Sequence, residues 1–268
     1  MDPTRRPTAE PYGWWGYQWR APEPLSVVAL IEAGTLDART AATLWLALER
    51  RASLVVAAQA PHAGKTTTLT ALADFLPPAT RRVYLRGWGE TFAFLGDADP
   101  AASYLLCNEI SAHLPVYLWG PKVGRLFAAV AAGYGLGTTM HADNLAELAA
   151  TLADPALGVP RSAVARLDLL LVLAVDYVER RPRRRLHTLE LLRRDGAGGD
   201  FDPATLVYWD AARGGFVHAP DPPPPGLLRR AGLPAGEFVA ERERRAAFLA
   251  DLASRGERAV HAVRRALA

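Results

Sequence analysis

Cysteine is nearly absent from this chain. Of 268 residues only Cys107 carries a thiol, which excludes an internal disulfide and any zinc site built on cysteine ligands. Lysine is scarce as well: Lys65 and Lys122 are the two lysines among 31 basic residues, so each lysine position carries weight. Long apolar runs are missing. The best candidate, Leu169 to Val175, ends at Asp176 and falls far short of the roughly 20 residues a membrane helix needs, so it reads as a buried strand. No apolar stretch follows Arg5 and Arg6, so no secretory signal is expected and the cytoplasm is the default compartment. Charge of one sign is not concentrated either. A net charge of +3 and a pI near 9.2 are too mild to argue alone for nucleic acid or acidic lipid. No internal repeat or long low-complexity tract appears. What remains is half apolar and 22% charged, the composition of a globular protein with a sizeable core.

The segments alternate in character. Residues 1–24 intersperse prolines with Trp14, Trp15 and Trp19 and read as an irregular arm. Leu25 to Glu32 has helical periodicity stopped by Gly34, and a second helix starts behind Asp37, an expected N-cap, and runs to Arg51. Strands are predicted over Ser53–Ala58, Arg82–Arg86, Tyr104–Cys107, Gly137–His141, Leu169–Val175 and Leu186–Leu192. Helices are predicted over Lys65–Phe75, Lys122–Ala132 and Leu145–Leu152. Apolar strands alternating with helices predict an α/β fold with a mainly parallel sheet covered on both faces. The expected division is an arm over 1–24, an α/β core over 25–195, and a hairpin with a peripheral helical tail over 196–268.

One segment has direct chemical meaning. Gln59-Ala60-Pro61-His62-Ala63-Gly64-Lys65-Thr66, extended by Thr67 and Thr68, follows an apolar strand and opens a helix. A phosphate loop needs backbone N–H groups curled around an anion at a helix N-terminus, a lysine against the outer phosphates and a hydroxyl for magnesium. Gly64, Lys65 and Thr66 supply the last three positions. The strict pattern has glycine where Gln59 stands; a side chain there restricts positive φ and is expected to distort the first turn. His62 likewise stands where glycine often lets the backbone close on phosphate.

The stretch from about Pro24 to Leu192 resembles the ATPases of type II and type IV secretion, type IV pili and archaeal flagella, with Ala42-Thr43-Leu44-Trp45-Leu46 and the GKTTT run most similar to the archaeal and tight-adherence branch. The resemblance implies a RecA-like P-loop core. Tyr104-Leu105-Leu106-Cys107-Asn108-Glu109-Ile110 resembles the family's Walker B segment, with Asn108 for a glycine and Ser111 for an arginine. It implies that Glu109 polarises the attacking water and lies near magnesium; a carboxylate at the tip of a strand beside the phosphate strand is placed for that. Thr138-Thr139-Met140-His141-Ala142-Asp143 is similar to the family's histidine box, and His141 would contact or sense the γ-phosphate, while Tyr134 replaces the box's first histidine. The family's acidic pair is lost at Leu85–Glu90, where only Glu90 is in register. Arg20 could correspond to an arginine reaching a neighbouring subunit's nucleotide. Arg180, Arg181 and Arg183–Arg185 read as a solvated strand end or subunit contact, with a phosphate contact across a subunit boundary as the sharper alternative.

Three functions follow from the resemblance. The first is a motor subunit that hydrolyses ATP with Mg²⁺, as a homo- or hetero-hexameric ring on an inner-membrane platform protein, cytoplasmic and peripheral to the membrane. The second is a degenerate paralogue acting as a structural or regulatory subunit. The third is a conjugation-type ATPase moving DNA, although the arginine cluster lacks the interleaved aromatics of a nucleic-acid surface and no direct nucleic-acid binding is expected. The expected catalytic residues are Lys65, Glu109 and His141. Gln59 through Thr67 would hold the nucleotide, and Thr66 with Glu109 the metal.

Overall fold

The computed structural model describes residues 24–193 and 201–267; the arm with Trp14, Trp15, Trp19 and Arg20, and the glycine-rich turn from Gly196, lie outside the described residues. The strands are β1 (Leu54–Ala57), β2 (Arg81–Tyr84), β3 (Ser103–Cys107), β4 (Gly135–Met140), β5 (Leu169–Val178), β6 (Arg181–Leu191), β7 (Ala204–Asp210) and β8 (Gly215–His218). They form one 8-stranded sheet in the order β2-β3-β4-β1-β5-β6-β7-β8. From β2 to β5 every neighbouring pair is parallel, and from β5 to β8 every pair is antiparallel. The helices are α1 (Val27–Glu32), α2 (Ala38–Leu48), α3 (Lys65–Leu72), α4 (Pro121–Ala131), α5 (Leu145–Leu152), α6 (Arg161–Val164), α7 (Pro225–Ala231), α8 (Ala235–Ser254) and α9 (Val260–Leu267). This is the α/β fold expected from the sequence, a mainly parallel sheet flanked by helices.

Strand β1 shows why the apolar runs are continuous. Leu54 and Val56 point into the cluster that holds Leu44, Leu69 and Leu249, and Val55 and Ala57 into the opposite one, with Phe127 and Leu148. A strand covered on both faces has no polar side to show. Helix starts follow side-chain capping. Ser26, Asp37 and Asn144 accept from the backbone N–H of Ala29, Thr40 and Glu147, opening α1, α2 and α5. The N-cap expected of Asp37 is therefore present. Helix α2 stops at Leu48 rather than Arg51, which takes a left-handed φ of 57°. Between β3 and β4 the packing is close: a Cβ on Gly135 would lie 2.4 Å from the Tyr104 ring, whose hydroxyl donates to the Leu136 carbonyl at 2.8 Å.

Two segments depart from expectation. Strand β5 does not end before Asp176 but runs on to Val178, because β6 folds back on it through Glu179 and Arg180, both with positive φ (48° and 64°). Positive φ at both central residues is the signature of a type I′ hairpin turn. Arg181 and Arg183–Arg185 thus lie within β6, with Arg180 in the turn ahead of it. The stretch after 200 is not peripheral. Strands β7 and β8 extend the same sheet, and Phe238 and Leu249 of α8 are fully buried. Arg230 of α7 pairs with Asp168, which also accepts from the Ser53 N–H beside β1. Cys107 is buried in the core, which pushes its thiol up to about 12. Among the described residues no helix is long and apolar enough to cross a membrane.

Candidate nucleotide site

The phosphate-loop segment bridges the C-terminal end of β1 and the N-terminus of α3. Its left-handed positions are His62 (φ 57°) and Gly64 (φ 89°). Gln59 is not among the positive-φ residues, so the distortion expected there does not arise. Histidine tolerates the left-handed region better than branched residues do, and the loop closes with His62 in it. Gln59 instead anchors the loop: its N–H donates to Asp143 at 2.9 Å. The carbonyl of Gln59 lies 3.2 Å from His141 Nδ1.

Lys65 and Glu109 are buried, with relative exposures of 8% and 3%. The Lys65 ammonium donates to the Ala58 carbonyl at 3.3 Å and lies 3.7 Å from Glu109 Oε2. Burial lowers the pKa of Lys65, and the Glu109 carboxylate works against that shift. Glu109 Oε1 faces His141 Nε2 at 3.2 Å, yet no hydrogen bond is directed at this oxygen. Thr66 donates from its hydroxyl to Asn108 Oδ1 at 3.3 Å, and Thr139 donates to the Asn108 carbonyl at 2.7 Å. Lys65, Thr66, Glu109 and His141 are thereby brought together.

The topology corrects one expectation. Glu109 follows β3, which is not beside the phosphate strand; β4 lies between β3 and β1. That intervening strand delivers His141 between Lys65 and Glu109. The departures sort themselves out as well. Both carboxylate oxygens of Glu90 accept from nearby backbone N–H groups, of Arg86 and Phe92, so Glu90 braces its own loop. Tyr134 is a core residue whose hydroxyl donates to Ala98. Ser111 accepts from the His113 N–H.

An open cleft of about 880 Å³ lies over the loop, lined by Pro61 through Thr68, Glu109 and His141, with Arg181, Arg183 and Arg184 on the far wall. Gln59 and Ala60 lie outside this lining. Arg184 donates from Nε to the His62 carbonyl at 2.8 Å, and its Cδ lies 3.2 Å from where a Gly64 Cβ would sit. Arg184 therefore reaches this chain's own phosphate-loop segment. Sequence reading missed that, because it required the β5–β6 hairpin to fold over the β1–α3 turn. It also missed His113, whose ring lies 5.8 Å from that of His141. No motif includes His113. The donors present fit magnesium: the Thr66 hydroxyl on the first turn of α3, and the unpartnered, buried Glu109 Oε1.

No family model matches the chain. An uncharacterized protein of Methanocaldococcus jannaschii is 25% identical over 246 residues, covering 83% of this chain and 90% of that protein. A second uncharacterized protein of the same organism is 26% identical over 192 residues, covering 62% of this chain and 33% of its own length. Among solved structures, the VirB11 ATPase from the Brucella suis type IV secretion system, in complex with sulphate, gives a TM-score of 0.41 at 17% identity over 69% of this chain and 57% of that one. The Legionella pneumophila ATPase DotB gives 0.39 at 14% identity over 60% of this chain and 52% of its own. This chain thus spans little more than half of either solved chain.

Proposed function

We propose that this chain binds and hydrolyses ATP as a motor subunit of the secretion or pilus type, working in a ring against a membrane platform protein. One observation supports the hydrolytic part above all: the lysine, hydroxyl, carboxylate and histidine of three separate sequence segments converge at the N-terminus of α3. The loop's backbone N–H groups and the positive end of α3 receive the phosphates. Lys65 leaves Glu109 and Ala58 for the outer phosphate, exchanging one anionic partner for a stronger one. Glu109, released from that contact, accepts a proton from the attacking water. His141, set between the Gln59 carbonyl and the Glu109 carboxylate, responds to the terminal phosphate. Arg184 adds a positive charge from the far wall as negative charge develops. Magnesium, held by Thr66 with Glu109 nearby, would neutralise the phosphate oxygens.

A second reading is favoured by the apparatus missing around Glu90. Its carboxylate is committed to the backbone of its own loop, so no acidic residue from that segment reaches the cleft. On that reading the chain binds ATP without turning it over and regulates a ring of active partners. Titration with a fluorescent ATP analogue, together with phosphate release in Mg²⁺, separates the two. The motor reading expects both binding and turnover, and the regulator only the first.

A further inference from the structure

We propose that Glu109, His141 and His113 form a binding site for a divalent first-row transition ion of the zinc class, separate in ligand chemistry from magnesium. One ligand atom from each of the three residues lies within 4.8 Å of the others. The pair Glu109 Oε1 and His141 Nε2 is 3.2 Å apart, close to the ligand–ligand edge of a tetrahedral ion with bonds of about 2.0–2.2 Å. Closing the set requires His113, on the loop after β3, to approach by about 1 Å, and its side chain is exposed with its ring already edge-on to that of His141.

Two further observations point to a cation at this spot. Glu109 Oε1 is buried and receives no hydrogen bond, although an unpaired buried carboxylate oxygen costs stability. The second is the placement of His141. Its Nδ1 faces the Gln59 carbonyl at 3.2 Å, and its Nε2 faces Glu109 Oε1 at 3.2 Å, so a ring nitrogen and a carboxylate oxygen converge on one point. A cation between them satisfies both. One ring nitrogen held against a backbone carbonyl while the other faces a carboxylate is how metal-bound histidines are oriented. Two imidazoles with one carboxylate suit zinc, cobalt or manganese rather than magnesium, which keeps oxygen ligands. The opposing group is Lys65, whose ammonium lies 3.4 Å from the His141 ring nitrogens and 3.7 Å from Glu109 Oε2. Ion and ammonium compete for the same carboxylate, so phosphate that draws Lys65 away favours the ion. An ion held there also occupies Glu109 and His141, so it inhibits hydrolysis.

The test is titration of untagged, nucleotide-free protein with Co²⁺, read by its visible d–d absorption. The expected result is a saturable signal at one equivalent, displaced by Zn²⁺, strengthened by inorganic phosphate and lost in His113→Ala. His113 lies outside the hydrolytic machinery, so the variant keeps its thermal midpoint and its magnesium-dependent turnover but loses inhibition by Zn²⁺. His113→Cys, which restores a zinc ligand, recovers the signal. Absence of a saturable signal, or an unchanged signal in His113→Ala, overturns the proposal. The spectrum does not depend on turnover, so failure of the ATPase reading and failure of this one are distinguishable.

Discussion

Lys65 is a buried cation held by a carbonyl, a carboxylate and an imidazole, in a cleft whose lining also holds threonine hydroxyls, histidines and arginines. Its replacement by alanine removes the one ammonium at the head of α3 and leaves Glu109 buried without its ion partner. Lys65→Ala is therefore expected to weaken ATP binding at least about 100-fold, as an oriented, charge-assisted contact worth about 3 kcal/mol predicts. Isothermal titration checks it, with circular dichroism confirming that the chain stays folded. The residues of this site were largely legible in the sequence, because Gly64–Thr68, Asn108–Ile110 and Thr138–Asp143 are each contiguous, the first two following an apolar strand and the third overlapping the end of one. His113 was not legible: it sits in an irregular loop, and only the return of β4 puts its ring near that of His141. The strain expected at Gln59 was misplaced by three residues, since position in a pattern does not say which residue takes positive φ.

Among the elements, two contacts decide the shape of the site. Strand β4 separates β3 from β1, and its fit against β3 depends on glycine where the Tyr104 ring lies flat. A Cβ on Gly135 also falls 2.9 Å from the Arg51 carbonyl, so neither neighbour can yield freely. Gly135→Ala is expected to cost about 1–3 kcal/mol in denaturant unfolding without a change in the residues of the cleft. The β5–β6 hairpin is the second contact. Arg184 is exposed but touches the loop, so Arg184→Ala is expected to raise the KM for ATP several-fold with little effect on the thermal midpoint. An unchanged KM with a lowered midpoint would instead make it a brace for the loop. The strands that form this hairpin were visible as apolar runs. Its reach over the phosphate loop was not, because the turn residues Glu179 and Arg180 carry no glycine or asparagine to announce a tight turn.

For the molecule as a whole, α8 is the surprise of the fold. An Arg/Glu/Ala-rich segment looks solvated from sequence, yet Arg242 and Arg245 are nearly buried and tie α8 to the rest through Asp221 and Glu49. Arg245 also lies over the Trp45 ring at 4.5 Å. Such pairings depend on partners about 20 to 200 residues away, which periodicity along one helix cannot show. They predict sensitivity to acid. Hydrogen bonds from Arg244 lower Glu241 to about 2, burial opposing them and Arg245 adding to them. Hydrogen bonding to Arg242 likewise lowers Asp221, against burial. At Asp37 and Glu243 burial works upward, but His218 and Thr40 at the first, and Arg242 and Arg39 at the second, outweigh it. Each folded-state pKa is below its ordinary value, so the stabilisation is complete above about pH 4.5 and is lost as the pH falls toward 2. Thermal midpoints measured from pH 7 to pH 3 are expected to be flat above 5 and to fall steeply below 4.5. A flat profile throughout would mean that these pairs add nothing.

The measurement that bears most directly on the convergence at α3 is steady-state hydrolysis of ATP in Mg²⁺ by the wild-type chain and by Glu109→Gln, each at saturating ATP with binding measured in parallel. The account predicts that Glu109→Gln binds ATP as tightly as the wild type while its turnover falls about 100-fold or more, since the amide cannot accept the water's proton. Equal turnover in the two proteins, or a folded wild type that binds no ATP, would contradict it.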